Sequence, residues 1–379
     1  MGQGAEFVEG KRKRMANYEL LRILSMLMVI TLHYLSHTGS LLEPGERAQG
    51  RQALGTFLES FCIVAVNVYV LVSGYFLAEA GFRLKRVFLL AGQVLFYSLA
   101  IPAVMLGVGG LAGDGGMYQW LPYLFPLHTE HYWFATSYVL LYLFTPFLNV
   151  AVKRMGKAQM QIGLAGLFVM FCGVKSVIPA EFVTDRFGYD FGWFLCVYLL
   201  GAYIRRYGCP FLDTAGKAWL CYVVCGLLIF GAVALAYLFH GKTGALAYAM
   251  EAPFHYNFVL CLLGAVALFM AFGYLKLPAG AVTEGICRLS AFTFGVYLFH
   301  EHLAIRNVWV GWLEEFLGPV AETGIAGFLW RLAVSVLLVY VAGTFVDAVR
   351  LNVFRFAGRY LGRTWLAGKV REWDRMFLS

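Results

Sequence analysis

Residues 18–38, YELLRILSMLMVITLHYLSHT, follow a cluster of four basic residues, Lys11, Arg12, Lys13 and Arg14. About 20 largely apolar residues are needed to carry a helix across roughly 30 Å of hydrocarbon, and this stretch has that length. A basic cluster on one flank orients such a helix with that flank toward the cytoplasm. The segment contains Arg22 and has no convincing cleavage site, so it reads as a retained membrane helix and not as a signal peptide.

The rest of the chain repeats the pattern. Of its 379 residues 60% are hydrophobic and only 14% charged, whereas soluble domains carry about 25% charged residues. That composition excludes an ordinary soluble globule, a disordered chain and a collagen-like one. Ten apolar stretches of spanning length follow, at 18–38, 54–78, 87–108, 132–151, 159–178, 189–205, 217–239, 253–275, 290–310 and 325–348. The sixth is short, and the ninth is interrupted by His300, Glu301 and His302. The expected architecture is all-α and polytopic, with residues 1–349 forming a transmembrane domain and 350–379 a basic amphipathic tail on the inner leaflet.

Lysines and arginines test the count. With the N-terminus inside, 22 of the 30 fall in cytoplasmic segments, seven in outer loops or outer helix halves, and Arg22 alone within the first helix. A bias that recurs at nearly every loop is hard to obtain with the wrong number of crossings. Both termini are therefore expected to be cytoplasmic. The net charge of +8 follows from these inner loops, so membrane lipid is the expected partner and nucleic acid is not. None of the eight cysteines falls in an expected outer loop, so no disulfide framework is read, and no metal site is called. The glycine-rich run from Gly107 to Gly116 leads into no strand and reads as an outer loop, not a phosphate loop.

Charged groups at bilayer depth cost about 2.5–3.5 kcal/mol each on insertion scales, which makes them functional candidates. Arg22 and His33 are eleven residues apart, which returns a helix to within about 20° of its starting direction after a rise of about 16 Å. Both lie on one stripe, Arg22 toward the cytoplasm and His33 in the outer half. All eight histidines map to the outer side, and Glu59 lies there too. In the ninth helix a histidine beside a carboxylate, His300 and Glu301, offers a base and an orienting group. The two-residue spacing of His300 and His302 points them to different sides of a helix and argues against a shared metal ion.

The run Arg22-x10-His33 resembles the opening signature of the bacterial acyltransferase-3 family of membrane-bound acyltransferases. The segment NVYVLVSGYF at 67–76 is similar to that family's aromatic Ser-Gly-aromatic stretch, and Arg83-x-x-Arg86 to its RxxR pattern. His131, Tyr132, Trp133 and Phe134 resemble the Trp-Phe entry to the fourth helix, and SAFTFGVYLFH at 290–300 a late Tyr-Leu-x-His helix. The resemblance covers about 300 residues in order. It implies transfer of an acyl group, acetyl foremost, from cytoplasmic acyl-coenzyme A to a hydroxyl of an extracytoplasmic glycan or lipid-linked sugar across the plasma (inner) membrane. Arg22, Arg83 and Arg86, with Lys85, would then meet the donor's phosphates. His33 would be the base, while Trp133, His131, Glu59, His300 and Glu301 would meet the acceptor. Ser73 is expected to be a packing residue beside Gly74, because it lies near the inner end of its helix. The competing expectation is a transporter, which inverted repeats and paired broken helices would favour.

Overall fold

The computed structural model describes residues 15–109, 117–178, 180, 186–320, 323–361 and 364–378. The basic cluster at 11–14, the glycine-rich run from 110 to 116 and Arg363 lie outside them. The regular structure of the described residues is all helical, without strands. The main helices are α1 (Ala16–His37), α2 (Gly50–Cys62), α3 (Ala65–Leu77), α4 (Leu84–Gly107), α5 (Trp133–Arg154) and α6 (Lys157–Phe168). They continue as α7 (Phe191–Tyr207), α8 (Ala215–Thr243), α9 (Val259–Gly273), α10 (Ala281–Leu289), α11 (Thr293–His300), α12 (Trp309–Leu317), α13 (Ile325–Leu361) and α14 (Trp365–Leu378).

Among the described residues eight helical stretches are long and apolar enough to cross a membrane, and they coincide with eight of the ten expected spans. One of them joins α2 and α3 end to end as Gly50–Leu77. The sixth expected span is α7, whose 17 residues are fewer than in any of those eight stretches. The ninth is no single helix. It follows α10 and consists of a tight turn at Ser290–Phe292, α11, a turning segment through 301–308 and the start of α12. The expected tail boundary at 349/350 falls inside α13, which continues unbroken to Leu361. Only α14 is a separate amphipathic helix.

Exposed apolar side chains mark the outside of the bundle. Ile162, Met170 and Val177 on the α6 stretch, and Leu235 and Leu238 on α8, stand open as lipid-facing residues do. The centre is built from α1, α3, α7, α9 and α11, where Leu21, Ile30, Val68, Leu71, Trp193, Phe194, Phe269 and Leu298 are fully enclosed.

Small residues set how closely the central helices approach. A Cβ added to Gly74 on α3 would lie 2.3 Å from the carbonyl oxygen of Tyr198 on α7, and one on Gly201 would lie 2.6 Å from that of Leu71. The two glycines thus let α3 and α7 cross backbone to backbone. Ser73, beside Gly74, donates to Tyr69 O at 2.9 Å and to the Tyr138 hydroxyl at 3.3 Å. Gly74→Val should push the helices apart and cost about 1–3 kcal/mol, read as a lower melting temperature in detergent. An unchanged melting temperature would mean that this crossing does not hold the bundle together.

A second close approach joins α11 to α13. A Cβ on Gly295 would sit 2.2 Å from Asp347 Cγ. Asp347 is fully buried and takes a two-pronged contact from Arg350, Nε to Oδ1 at 2.9 Å and Nη2 to Oδ2 at 2.8 Å. The Tyr97 hydroxyl and Gln93 Nε2 also donate to Oδ1, at 2.9 and 3.1 Å. With its charge paired and hydrogen-bonded, the carboxylate is tolerated at this depth. It ties α4 to α13.

Candidate active site

One cavity of about 370 Å³ runs through the bundle beside α1. That is within the range of small-molecule sites. Arg22, Met26, Val29 and His33 line it, a stripe at i, i+4, i+7 and i+11 along a single helix. The rise along that stripe, about 16 Å, sets the depth over which the cavity connects its cationic end to its histidine end. The walls come from Tyr69 and Ser73 on α3, Arg86 and Gln93 on α4, Trp133, Phe134 and Tyr138 on α5, then Tyr256, and finally Ser290 to Tyr297 leading into α11.

At the inner end two guanidinium groups, those of Arg22 and Arg86, face the same space. Arg22 Nη1 lies 3.5 Å from Glu19 Oε2. The Ser290 hydroxyl donates to that same oxygen at 2.6 Å, and the Tyr69 hydroxyl donates to the Arg22 carbonyl at 2.7 Å. Glu19 therefore anchors Arg22 while leaving this end with an excess of one positive charge from the three groups, an environment suited to an anion. Arg86 lies over the Tyr142 ring at 5.6 Å.

At the outer end His33 Nδ1 is 3.0 Å from His300 Nε2 and 3.2 Å from Glu301 Oε1. His300 Nδ1 is 2.7 Å from the Val296 carbonyl, which can only accept, so the proton of neutral His300 sits on Nδ1. Its Nε2 is then an acceptor, and His33 must donate from Nδ1. The network thus assigns His33 a lone pair on Nε2. An imidazole whose other nitrogen donates to a fixed acceptor beside a carboxylate is an arrangement able to activate a hydroxyl. The ligand atoms of His33, His300 and Glu301 also lie within 4.8 Å of one another, close enough to hold a cation. The direct hydrogen bond between the two imidazoles already satisfies both of those nitrogens.

The remaining expected residues are distributed differently. His300, fully enclosed, and Glu301 sit beside His33 and are not among the residues lining the cavity. Glu301 pairs with His33, although its neighbour in sequence is His300. Trp133 lines the cavity and packs against Tyr189 at 4.6 Å and nearly parallel to Tyr256 at 5.8 Å. His131 is buried against Tyr132 at 4.0 Å and His302 at 4.8 Å, away from the cavity wall. Glu59 is buried on α2 and also does not reach that wall. Of Arg83, Lys85 and Arg86 only Arg86 does.

Glu19, Ser290, Tyr69, Gln93 and Tyr297 were not anticipated. Glu19 carried a usable signal, being an acid within an apolar helix three residues before Arg22 and hence on the same face.

Taken together, the helices and the cavity define a polytopic membrane protein whose buried centre joins a cationic end to an oriented histidine. A sequence model of the acyltransferase-3 family, described as an acyltransferase domain, matches residues 15–346, and the chain belongs to that family. It is a membrane acyltransferase that transfers groups other than amino-acyl groups. No curated protein and no solved structure matches the chain.

Proposed function

We propose that the protein moves an acyl group, acetyl foremost, from acyl-coenzyme A on the cytoplasmic side to a hydroxyl of a glycan or lipid-linked sugar on the outer face of the plasma (inner) membrane. The observation that carries this reading is the single cavity that Arg22 and Arg86 line at one end and His33 at the other. Arginines bind phosphate groups in the two-pronged geometry that a nucleotide-bearing donor offers, and Arg22 and Arg86 are the two that reach this space. The acyl-bearing arm of the donor would extend along Met26 and Val29, bringing the thioester carbonyl beside His33. Trp133 and Tyr256 present aromatic faces of the kind that pack against a sugar ring.

His33 Nε2 accepts the proton of the acceptor hydroxyl as its oxygen attacks the thioester carbonyl. The C–S bond then breaks, the ester forms, and the proton passes from His33 to the departing thiolate, which leaves as coenzyme A. During that cycle His33 carries a positive charge, which the Glu301 carboxylate stabilises through Nδ1. Tyr297, in the same wall, is the hydroxyl placed to stabilise the developing oxyanion.

The test is transfer of label from acetyl-coenzyme A, carrying the isotope in the acetyl group, into the envelope glycan and lipid fractions of membranes containing the protein. Arg22→Ala should raise the KM for acetyl-coenzyme A roughly tenfold, as expected for losing one hydrogen bond to a charged group, with little change in kcat. A loss confined to kcat would remove Arg22 from donor binding. Uptake of a small solute by proteoliposomes without coenzyme A, in the absence of any label transfer, would replace the enzymatic reading with a transporter.

A further inference from the structure

The C-terminal helix α14 reaches back to the start of α4, the helix that delivers Arg86 into the cavity. Asp374 Oδ1 accepts hydrogen bonds from the backbone amides of Leu84 at 2.5 Å and Lys85 at 3.3 Å. These are the first two helical residues of α4, and the residue before them, Arg83, makes no side-chain cap. The opening amides of a helix have no partner within it, and a carboxylate there also meets the positive end of the helix dipole. Here the capping group comes from 290 residues further along the chain.

Arg86 is the third residue of that turn. Its backbone amide donates to the Arg83 carbonyl at 3.0 Å, and its side chain passes over Tyr142 to the cavity. Tyr142 in turn bonds the Arg83 backbone, accepting from its amide at 3.2 Å. The first turn of α4 is therefore fixed from two directions, by Tyr142 on α5 and by Asp374 on α14.

We infer that Asp374 is a positioning residue for donor binding: it caps α4 and so holds Arg86 in the orientation that presents its guanidinium to the anionic donor. This rests on the reading of Arg22 and Arg86 as the donor site. It makes the tail part of the active machinery instead of a membrane anchor alone. A cap of this kind supports a helix end by an amount equivalent to about a 2- to 30-fold change in an equilibrium constant.

The experiment measures the affinity of the purified full-length protein for coenzyme A, together with hydrogen exchange at residues 84–86. Asp374→Ala should weaken coenzyme A binding by about 2- to 30-fold and speed exchange at Leu84 and Lys85. Asp374→Asn, which keeps an acceptor oxygen, should retain most of the affinity. Combining Asp374→Ala with Arg86→Ala should weaken binding no further than Arg86→Ala alone, a coupling that general destabilisation would not produce. If Arg86→Ala weakens binding while Asp374→Ala does not, or if the two effects simply add, the positioning role is wrong and the donor site stands. If neither Arg86→Ala nor Arg22→Ala alters the affinity, the donor site itself is wrong and the inference goes with it.

Discussion

His33→Ala should lower kcat for acyl transfer by about 10²–10⁴-fold, the contribution of a positioned general base, while leaving the affinity for coenzyme A close to that of the wild type. The expectation follows from the direction of the hydrogen bonds. His300 is pinned by the Val296 carbonyl through Nδ1, His33 donates from its own Nδ1 to His300 with the Glu301 carboxylate beside it, and Nε2 is the nitrogen left to act. Removing the imidazole deletes the only group on the Arg22 stripe that can accept a proton at neutral pH. It leaves the inner arginines in place. Steady-state kinetics and coenzyme A binding on the same preparation separate the two effects, and a variant that transfers normally would eliminate His33 as the base.

Glu301→Gln should give the second large effect, a fall in kcat of about 5- to 15-fold, because the glutamine oxygen can still accept from His33 but no longer carries the charge that strengthens that bond. Glutamine is nearly the same size, so packing behind His33 is kept. The negative charge that balances the His33 imidazolium is lost. Donor KM should be unaffected, because Glu301 does not line the cavity. A wild-type kcat in this variant, measured beside His33→Ala, would show that His300 alone orients the base.

These effects mark where sequence reasoning stopped. Arg22 and His33 were legible because helical periodicity relates two residues on one element, and the basic clusters set which end was expected to face the cytoplasm. The support behind His33 was not, since it depends on a contact between residues 267 positions apart. His300 and Glu301 are adjacent in sequence, and read as a continuous helix they point in different directions. The structure ends α11 at His300 and turns the chain there, which brings both residues to His33. The polar interruption of the ninth span was visible in the sequence. Its purpose was not.

A similar limit applies to acidic residues. Glu19 and Asp347 each lie three positions from an arginine partner, within helices judged by their apolar content and their basic flanks. An i,i+3 acid and base inside a membrane segment is a local signal, and it would have located the anchor of Arg22 and the buried pair of α13. By contrast, the placement of Glu59 and His131 away from the cavity reflects the turn of each element about its axis, which a span-level reading does not resolve. The cap that Asp374 places on α4 joins residues from opposite ends of the chain, and no spacing rule could have found it.

The proposed reaction is directional: donor enters at the arginine end, and the acyl group leaves at the histidine end. Proteoliposomes in which the protein has a single known orientation, given isotope-labelled acetyl-coenzyme A, which does not cross the bilayer, on one side at a time, test it most directly. Acetyl-coenzyme A supplied to the face carrying Arg22 and Arg86 should support label transfer to an acceptor on the opposite side, and acetyl-coenzyme A supplied to the other face should support none. Equal transfer from both faces, or transfer only from the histidine face, would contradict the account.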